Sequence, residues 1–157
     1  MSAMNVGMND LEAVRNYGLR SIDDILSKET YKDLQSDELT AAEWFKGMMT
    51  ANNGKDNVFS INTELVGTPI GVGNRFVDFL ESNADIEKFI TTEFENVLLS
   101  PNEIWSNTDI DTMTFVKYYN GKVVSININQ DTNKHWFAET MDVDNDVFRK
   151  GVLLYRK

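Results

Sequence analysis

The stretch Met113-Thr-Phe-Val-Lys-Tyr-Tyr-Asn-Gly-Lys-Val-Val-Ser-Ile-Asn-Ile128 carries the clearest structural pattern in the chain. Two runs of strand-forming residues, 113–119 and 122–128, flank the dipeptide Asn120-Gly121, which tolerates the two positive φ angles of a type I′ turn. The pattern predicts a β-hairpin. Two further runs follow after short polar connectors, His135-Trp-Phe-Ala-Glu-Thr-Met141 and Gly151-Val-Leu-Leu-Tyr155. The C-terminal third is therefore predicted to be an antiparallel β-meander.

Helical patterns precede this sheet. Short helices are predicted between Asn9 and about Asn53, before the polar segment 51–57. Short extended segments are predicted at Val58–Ile61 and Thr68–Val72. A helix is predicted at 76–80, and an amphipathic helix with a stripe from Ile86 to Val97 that stops at Ser100-Pro101. The predicted class is α+β, with a helical N-terminal arm (1–56) and a main unit (57–157) that form one compact whole.

Composition excludes several kinds of site. The chain has 157 residues, is 41% hydrophobic, and contains no cysteine and a single histidine. Thiolate zinc sites, thiol nucleophiles and multi-histidine metal sites are therefore excluded, and we predict no metal and no cofactor. The first ten residues show neither a secretion signal nor an apolar run, so we expect a soluble protein with no membrane partner, which suits a reducing cytoplasm.

The charge is divided unevenly along the chain. Residues 1–112 hold 8 basic and 20 acidic side chains, a net charge of −12, whereas residues 113–157 hold 7 and 5, a net charge of +2. One interpretation is that acidic helices keep the protein soluble. The other is that they repel nonspecific polyanions while the sheet keeps a local cationic site.

Three short segments carry a resemblance to a known family. These are Leu98-Leu-Ser-Pro-Asn-Glu-Ile-Trp105, the hairpin around Tyr118, and Arg149-Lys-Gly-Val-Leu-Leu-Tyr155. In this order they resemble the phage-encoded nuclease-like domains grouped with barnase, EndoU, colicin-type ribonucleases and RelE-like toxins, which are often found at the C-terminal end of phage minor head or portal-associated proteins. The resemblance covers roughly residues 57–157.

The resemblance implies a barnase-like α+β fold and a metal-independent ribonuclease or toxin-like RNA cleaver, located in the host cytoplasm or on the virion. Fold alone does not establish activity. The alternative is a non-catalytic virion or interaction domain whose acidic helices dock on a phage or host protein. A third possibility is an inhibitor that mimics nucleic acid with its acidic half.

Cleaving RNA without a metal needs a base, an acid and fixed cations. His135 is the only side chain with an ordinary pKa near neutrality. Glu139 lies four residues further along the predicted strand, on the same face but about 13 Å away, so the two would form a pair only if a bulge bends the strand. Arg149 could clamp a phosphate, and Lys117 could add a second cation, with Tyr119 beside it.

Each candidate also has a structural interpretation. His135 suits an exposed strand start, and Glu139 could pair with Lys117 or Arg149. Arg149 could be a solvated charge or pair with Asp144 or Asp146. Glu103 and Trp105 are interpreted as a structural partner and a core residue. The segment Asp142–Asp146 fails the EF-hand pattern, because the sixth position is Val147 and the twelfth is Leu153. The glycines at 67, 71 and 73 make no phosphate-binding fingerprint.

Overall fold

The computed structural model describes residues 14–28, 31–107, 109–144, 149 and 151–157. Residues 1–13 of the predicted arm and the whole 145–148 connector, with Asp146, lie outside the described residues. Residues 14–17 are helical. The helices are Ile22–Lys28 (α1), Ala41–Ala51 (α2), Asn74–Glu81 (α3), Ala84–Glu87 (α4) and Ile90–Leu99 (α5). The strands are Phe59–Thr63 (β1), Thr68–Val72 (β2), Glu103–Asn107 (β3), Thr112–Tyr119 (β4), Lys122–Gln130 (β5), Trp136–Val143 (β6) and Val152–Arg156 (β7).

The strands form one seven-stranded sheet in the order β1-β2-β6-β5-β4-β3-β7. The α+β class is confirmed, and β4, β5 and β6 form the predicted antiparallel meander. The sheet as a whole is mixed, because β2 pairs with β6 in parallel. The prediction of a purely antiparallel meander is wrong for a second reason: β7 does not continue next to β6 but crosses the sheet to pair with β3.

The central hairpin has the predicted register, with Tyr119 opposite Lys122. Its turn differs from the type I′ prediction, because only Gly121 has a positive φ of 69°. The Asn120 backbone N–H donates to the Lys32 carbonyl at 3.0 Å, and its side-chain amide donates to Asp33 at 2.9 Å. These hydrogen bonds to the N-terminal arm therefore hold Asn120 at a negative φ, although the Asn-Gly dipeptide alone favours a positive φ at this position.

Helices α2 to α5 cover one face of the sheet. Their apolar side chains, including Trp44, Phe76 and Phe94, pack on strand residues such as Phe59 and Phe115. Helix α2 begins with a capping box at Thr40 and Glu43, which satisfies the first backbone donors. The amphipathic stripe predicted as one helix is divided into α4 and α5. This layer holds the main core.

The described part of the N-terminal arm covers the other face at the β3–β4–β5 end. Ile22 and Ile25 of α1 are buried against Trp105, Val116 and Tyr118. The Tyr17 ring lies edge-on to Trp105, with ring centroids 5.5 Å apart. The two faces of the sheet therefore have separate cores. No helix of the described residues is long and apolar enough to cross a membrane.

Candidate functional site

Glu103 is the centre of a buried polar network on the face covered by α1. Its Oε1 accepts hydrogen bonds from Trp105 Nε1 at 2.9 Å and Arg149 Nε at 3.1 Å, and its Oε2 accepts from Tyr118 at 2.6 Å and Arg149 Nη2 at 2.7 Å. Arg149 Nη2 also donates to the Tyr118 hydroxyl at 3.2 Å. All four residues are at most 4% exposed. The carboxylate and its bidentate arginine neutralise each other out of contact with water.

Strand geometry brings these groups together. Glu103 and Trp105 are two residues apart on β3, so they share a face, and Glu103 pairs with Val116 on β4, two residues before Tyr118. Arg149 enters from the segment before β7. The three segments that carry the family resemblance thus meet in one network, and their residues have a structural role here. Burial and the Glu103 carboxylate raise the pKa of Tyr118 far above its ordinary value, so its hydroxyl stays a donor.

Arg149 was predicted to clamp a phosphate or to pair with Asp144 or Asp146. Its side chain is fully buried, and its partner is Glu103, 46 residues earlier. The guanidinium is therefore committed to an internal carboxylate. Because Arg149 contacts Tyr118 while Lys117 is the neighbouring residue of the same strand, the two predicted cations lie on opposite faces of the sheet.

Lys117 lies on the helical face of β4, where its Nζ donates to the Ser100 carbonyl at 2.6 Å. Ser100 is the C-terminal cap of α5, so the ammonium meets the negative end of the helix dipole. Burial lowers the pKa of Lys117, and the neighbouring Lys157 lowers it further, while Glu93 opposes the shift. This lysine has a helix-capping role in the structure.

His135 and Glu139 do not form a pair. The His135 side chain is 72% exposed, 4.0 Å from Asp131, at the rim of a cavity of about 250 Å³. Glu139 is paired with Arg75 at 3.2 Å and lines a different cavity, of about 300 Å³. The register of β5 and β6 shifts between Asn127 and Ile128, leaving Glu139 as an extra residue in β6. This bulge breaks the alternation on which their shared face was predicted.

The four predicted site residues are therefore not brought together. Lys117 is on β4 and Glu139 on β6, with β5 between them. Arg149 is buried on the opposite face of the sheet from Lys117. Among the described residues, no group of three or more His, Cys, Asp or Glu is placed to hold a metal ion.

A larger cavity, missed by sequence reasoning, opens beside the Glu103 network. It has a volume of about 430 Å³ and lies between the arm and the ends of β3, β4 and β7. Its lining residues are Gly18, Leu19, Arg20, Ile25, Tyr31, Asn102, Glu103, Tyr118, Arg156 and Lys157. No local sequence pattern links Arg20 with Arg156, because they are far apart in the chain. The one sequence signal for a basic site here was the excess of basic over acidic residues after Met113.

A second buried carboxylate lies on the helical face. Glu93 of α5 is fully buried, and neither of its oxygens nor the Tyr119 hydroxyl has a hydrogen-bond partner within geometric range. Burial raises the pKa of Tyr119, and the nearby Glu93 carboxylate raises it further. Tyr119 was predicted as a companion of Lys117 in a site, and here it is a core residue.

No protein-family model, curated protein or solved structure matches this chain.

Proposed function

We propose that this chain is a non-catalytic interaction domain that contacts a basic protein surface through its acidic helical layer. The observation that carries the proposal is the burial of Arg149 in a bidentate pair with Glu103. Metal-free RNA cleavage needs a cation at the transferred phosphate, and the arginine assigned to that task is already neutralised. The ribonuclease hypothesis and the phage origin remain predictions from the resemblance.

The helical layer supplies the surface for a partner. Residues 31–101 contain 12 acidic and 5 basic side chains. Five of the acidic residues on helices α2 to α5 are exposed, namely Glu43, Asp78, Glu81, Asp85 and Glu95. The same helices also expose Lys46 and Arg75, so the layer carries a net negative charge, and an excess of one sign accelerates and orients association with an oppositely charged partner. By the resemblance, that partner would be a phage virion protein or a host protein.

The catalytic alternative is tested by incubating labelled RNA with the protein at neutral pH in the presence of EDTA. We expect no cleavage above the buffer control, from the native chain or from His135→Ala. Products ending in a 2′,3′-cyclic phosphate that decrease about a hundredfold in His135→Ala, the size expected for losing an acid–base group, would restore the ribonuclease hypothesis.

The binding surface is tested with a synthetic polylysine peptide as the probe. Asp78→Lys/Glu81→Lys reverses two charges on α3, and Glu64→Lys/Asp109→Lys makes the same charge change in two exposed turns. We expect the α3 variant to bind the peptide at least tenfold more weakly and the turn variant to bind nearly as the native chain does. Equal weakening by both variants would mean that only net charge matters, and the proposed surface would be wrong.

A further inference from the structure

The cavity beside the Glu103 network has the size and position of a ligand site. Its volume of about 430 Å³ lies within the roughly 300–1,000 Å³ of typical small-molecule pockets. Three separate parts of the chain form its walls: the arm at Gly18–Arg20, Ile25 and Tyr31, the β3–β4 region at Asn102 and Tyr118, and the end of β7. It lies on the face away from α2 to α5, so it is distinct from the acidic layer.

Positive charge is concentrated around this cavity in a chain whose net charge is −10. Arg20, Arg156 and Lys157 all line it. Glu103 also lines the cavity, but its buried carboxylate is neutralised by Arg149, and Asp24 offsets one cation by pairing with Arg20 at 2.8 Å. Among the described residues that line the cavity or pair with its lining, cations thus outnumber carboxylates, and such an excess of positive charge suits an anion.

Three lysines near the cavity add to the positive charge at this end of the sheet. Lys157 and Lys32 both lower the pKa of Lys117, and the buried Glu93 opposes them, so the three lysines lie near one another. An anion bound beside Lys157 would lessen the repulsion among them.

The other lining residues include aromatic and apolar side chains, which suit a planar ring on the ligand. Tyr31 and Tyr118 lie in the wall with ring centroids 6.1 Å apart and planes at 41°, next to Leu19 and Ile25. Aromatic walls favour a planar apolar group. Asn102 Oδ1 accepts from the Tyr118 backbone N–H at 2.9 Å, an arrangement that leaves the Asn102 amide N–H group as a donor.

We propose that this cavity binds a small phosphate ester that carries a planar ring, with Arg20, Arg156 and Lys157 around the phosphate and the tyrosines against the ring. A phosphotyrosine side chain and a mononucleotide share this chemistry. The proposal goes beyond the interaction function, because the two surfaces lie on opposite faces of the sheet and neither requires the other.

The test is a calorimetric titration of the full chain with four probes. Phenyl phosphate and uridine 5′-monophosphate carry both a ring and a phosphate, pyrophosphate carries the charge alone, and phenol carries the ring alone. We expect at least one of the two ring phosphates to bind at least tenfold more tightly than pyrophosphate and phenol. A preference for phenyl phosphate identifies a phosphotyrosine-type ligand, and a preference for uridine 5′-monophosphate identifies a nucleotide.

Variants then place the binding in the cavity. We expect Arg20→Gln and Lys157→Gln each to weaken the ring phosphate at least about tenfold, on the scale of one charge-assisted hydrogen bond. Arg156 is avoided because it also donates to the Tyr17 carbonyl at 2.7 Å and helps to hold the arm. Lys46→Gln removes an exposed lysine of α2 as the matched control. The proposal is overturned if no probe binds, if pyrophosphate binds as tightly as the ring phosphates, or if Lys46→Gln weakens binding as much as Arg20→Gln does.

Discussion

Arg149 binds both carboxylate oxygens of Glu103, through Nε at 3.1 Å and Nη2 at 2.7 Å, at a site where neither side chain is more than 4% exposed. The pair joins the segment before β7 to β3, and Trp105 and Tyr118 complete the hydrogen bonding of the carboxylate. Removing one charge from such a pair leaves the other buried without compensation.

Arg149→Met should therefore lower the free energy of unfolding by about 3–5 kcal/mol, measured by urea denaturation. The double variant Glu103→Gln/Arg149→Met should lose less than the sum of the two single variants, because the second change removes the stranded charge. Lys122→Met is the matched control, since it breaks a half-exposed pair with Asp144 and should cost at most about 1 kcal/mol. Additive losses in the double variant would mean that the two groups do not interact.

Gly151→Ala should be strongly destabilising. Gly151 has a φ of 84°, and a Cβ there would fall on the carbonyl oxygen of Ser106. Gly67 also has a positive φ, of 67°, but a Cβ there would meet no atom within 4 Å. Gly67→Ala should thus cost only the left-handed strain of about 1–2 kcal/mol, and Gly151→Ala should cost about 1–3 kcal/mol more. Equal losses in thermal or urea unfolding would contradict the close approach of the backbones.

Tyr118 and Tyr119 should remain protonated in the folded chain at a pH where a tyrosine in water loses its proton, because burial raises the pKa of both. An unfolded tyrosine loses its proton near pH 10. Above about pH 10 the unfolded state therefore binds fewer protons than the folded state, and the free energy of unfolding falls as the pH rises. Phenolate absorbance followed through alkaline titration should show a late cooperative step that coincides with unfolding.

The tyrosine prediction has a matched variant. In Tyr118→Phe/Tyr119→Phe the late phenolate step should disappear, and the dependence of stability on pH above about pH 10 should become weaker. If all five tyrosines of the native chain titrate smoothly before unfolding, the two hydroxyls are not buried as described.

Glu139→Gln should leave stability within about 0.5 kcal/mol of the native value. Its partner Arg75 has a side chain that is 83% exposed, and ion pairs with an exposed member contribute little. The measurement is the urea midpoint, with Arg75→Gln as the comparison. A loss of more than about 2 kcal/mol in either variant would show that this pair holds α3 to the bulge of β6.

The features that were predicted correctly depend on residues that are adjacent in the sequence. Two runs of strand formers around Asn120-Gly121 located the central hairpin, and Pro101 after Ser100 located the end of α5. The features that were missed depend on contacts between distant segments. The parallel pairing of β2 with β6 and the move of β7 to β3 leave no periodic signal within either strand.

The candidate site was mispredicted for the same reason: its residues are brought together or separated by contacts between distant segments. His135 and Glu139 were grouped by spacing along one strand, and a single bulge at Glu139 removed the basis of that grouping. Arg149 and Glu103 were considered separately, because nothing local links residues 46 positions apart. Arg20, Tyr31 and Arg156 were not considered together at all, since the arm had no recognisable motif and its packing against the sheet decides that they share a cavity.

During translation, Glu103 is synthesised well before Arg149, its partner in the buried ion pair. Arg149 lies 46 positions after Glu103, so at a synthesis rate of about 5–20 residues per second it is added roughly 2 to 9 seconds later. During that interval β3 exists on the ribosome with its carboxylate still lacking the guanidinium that allows it to be buried. Burial of the ionised Glu103 carboxylate together with its arginine partner must therefore wait until Arg149 has been made.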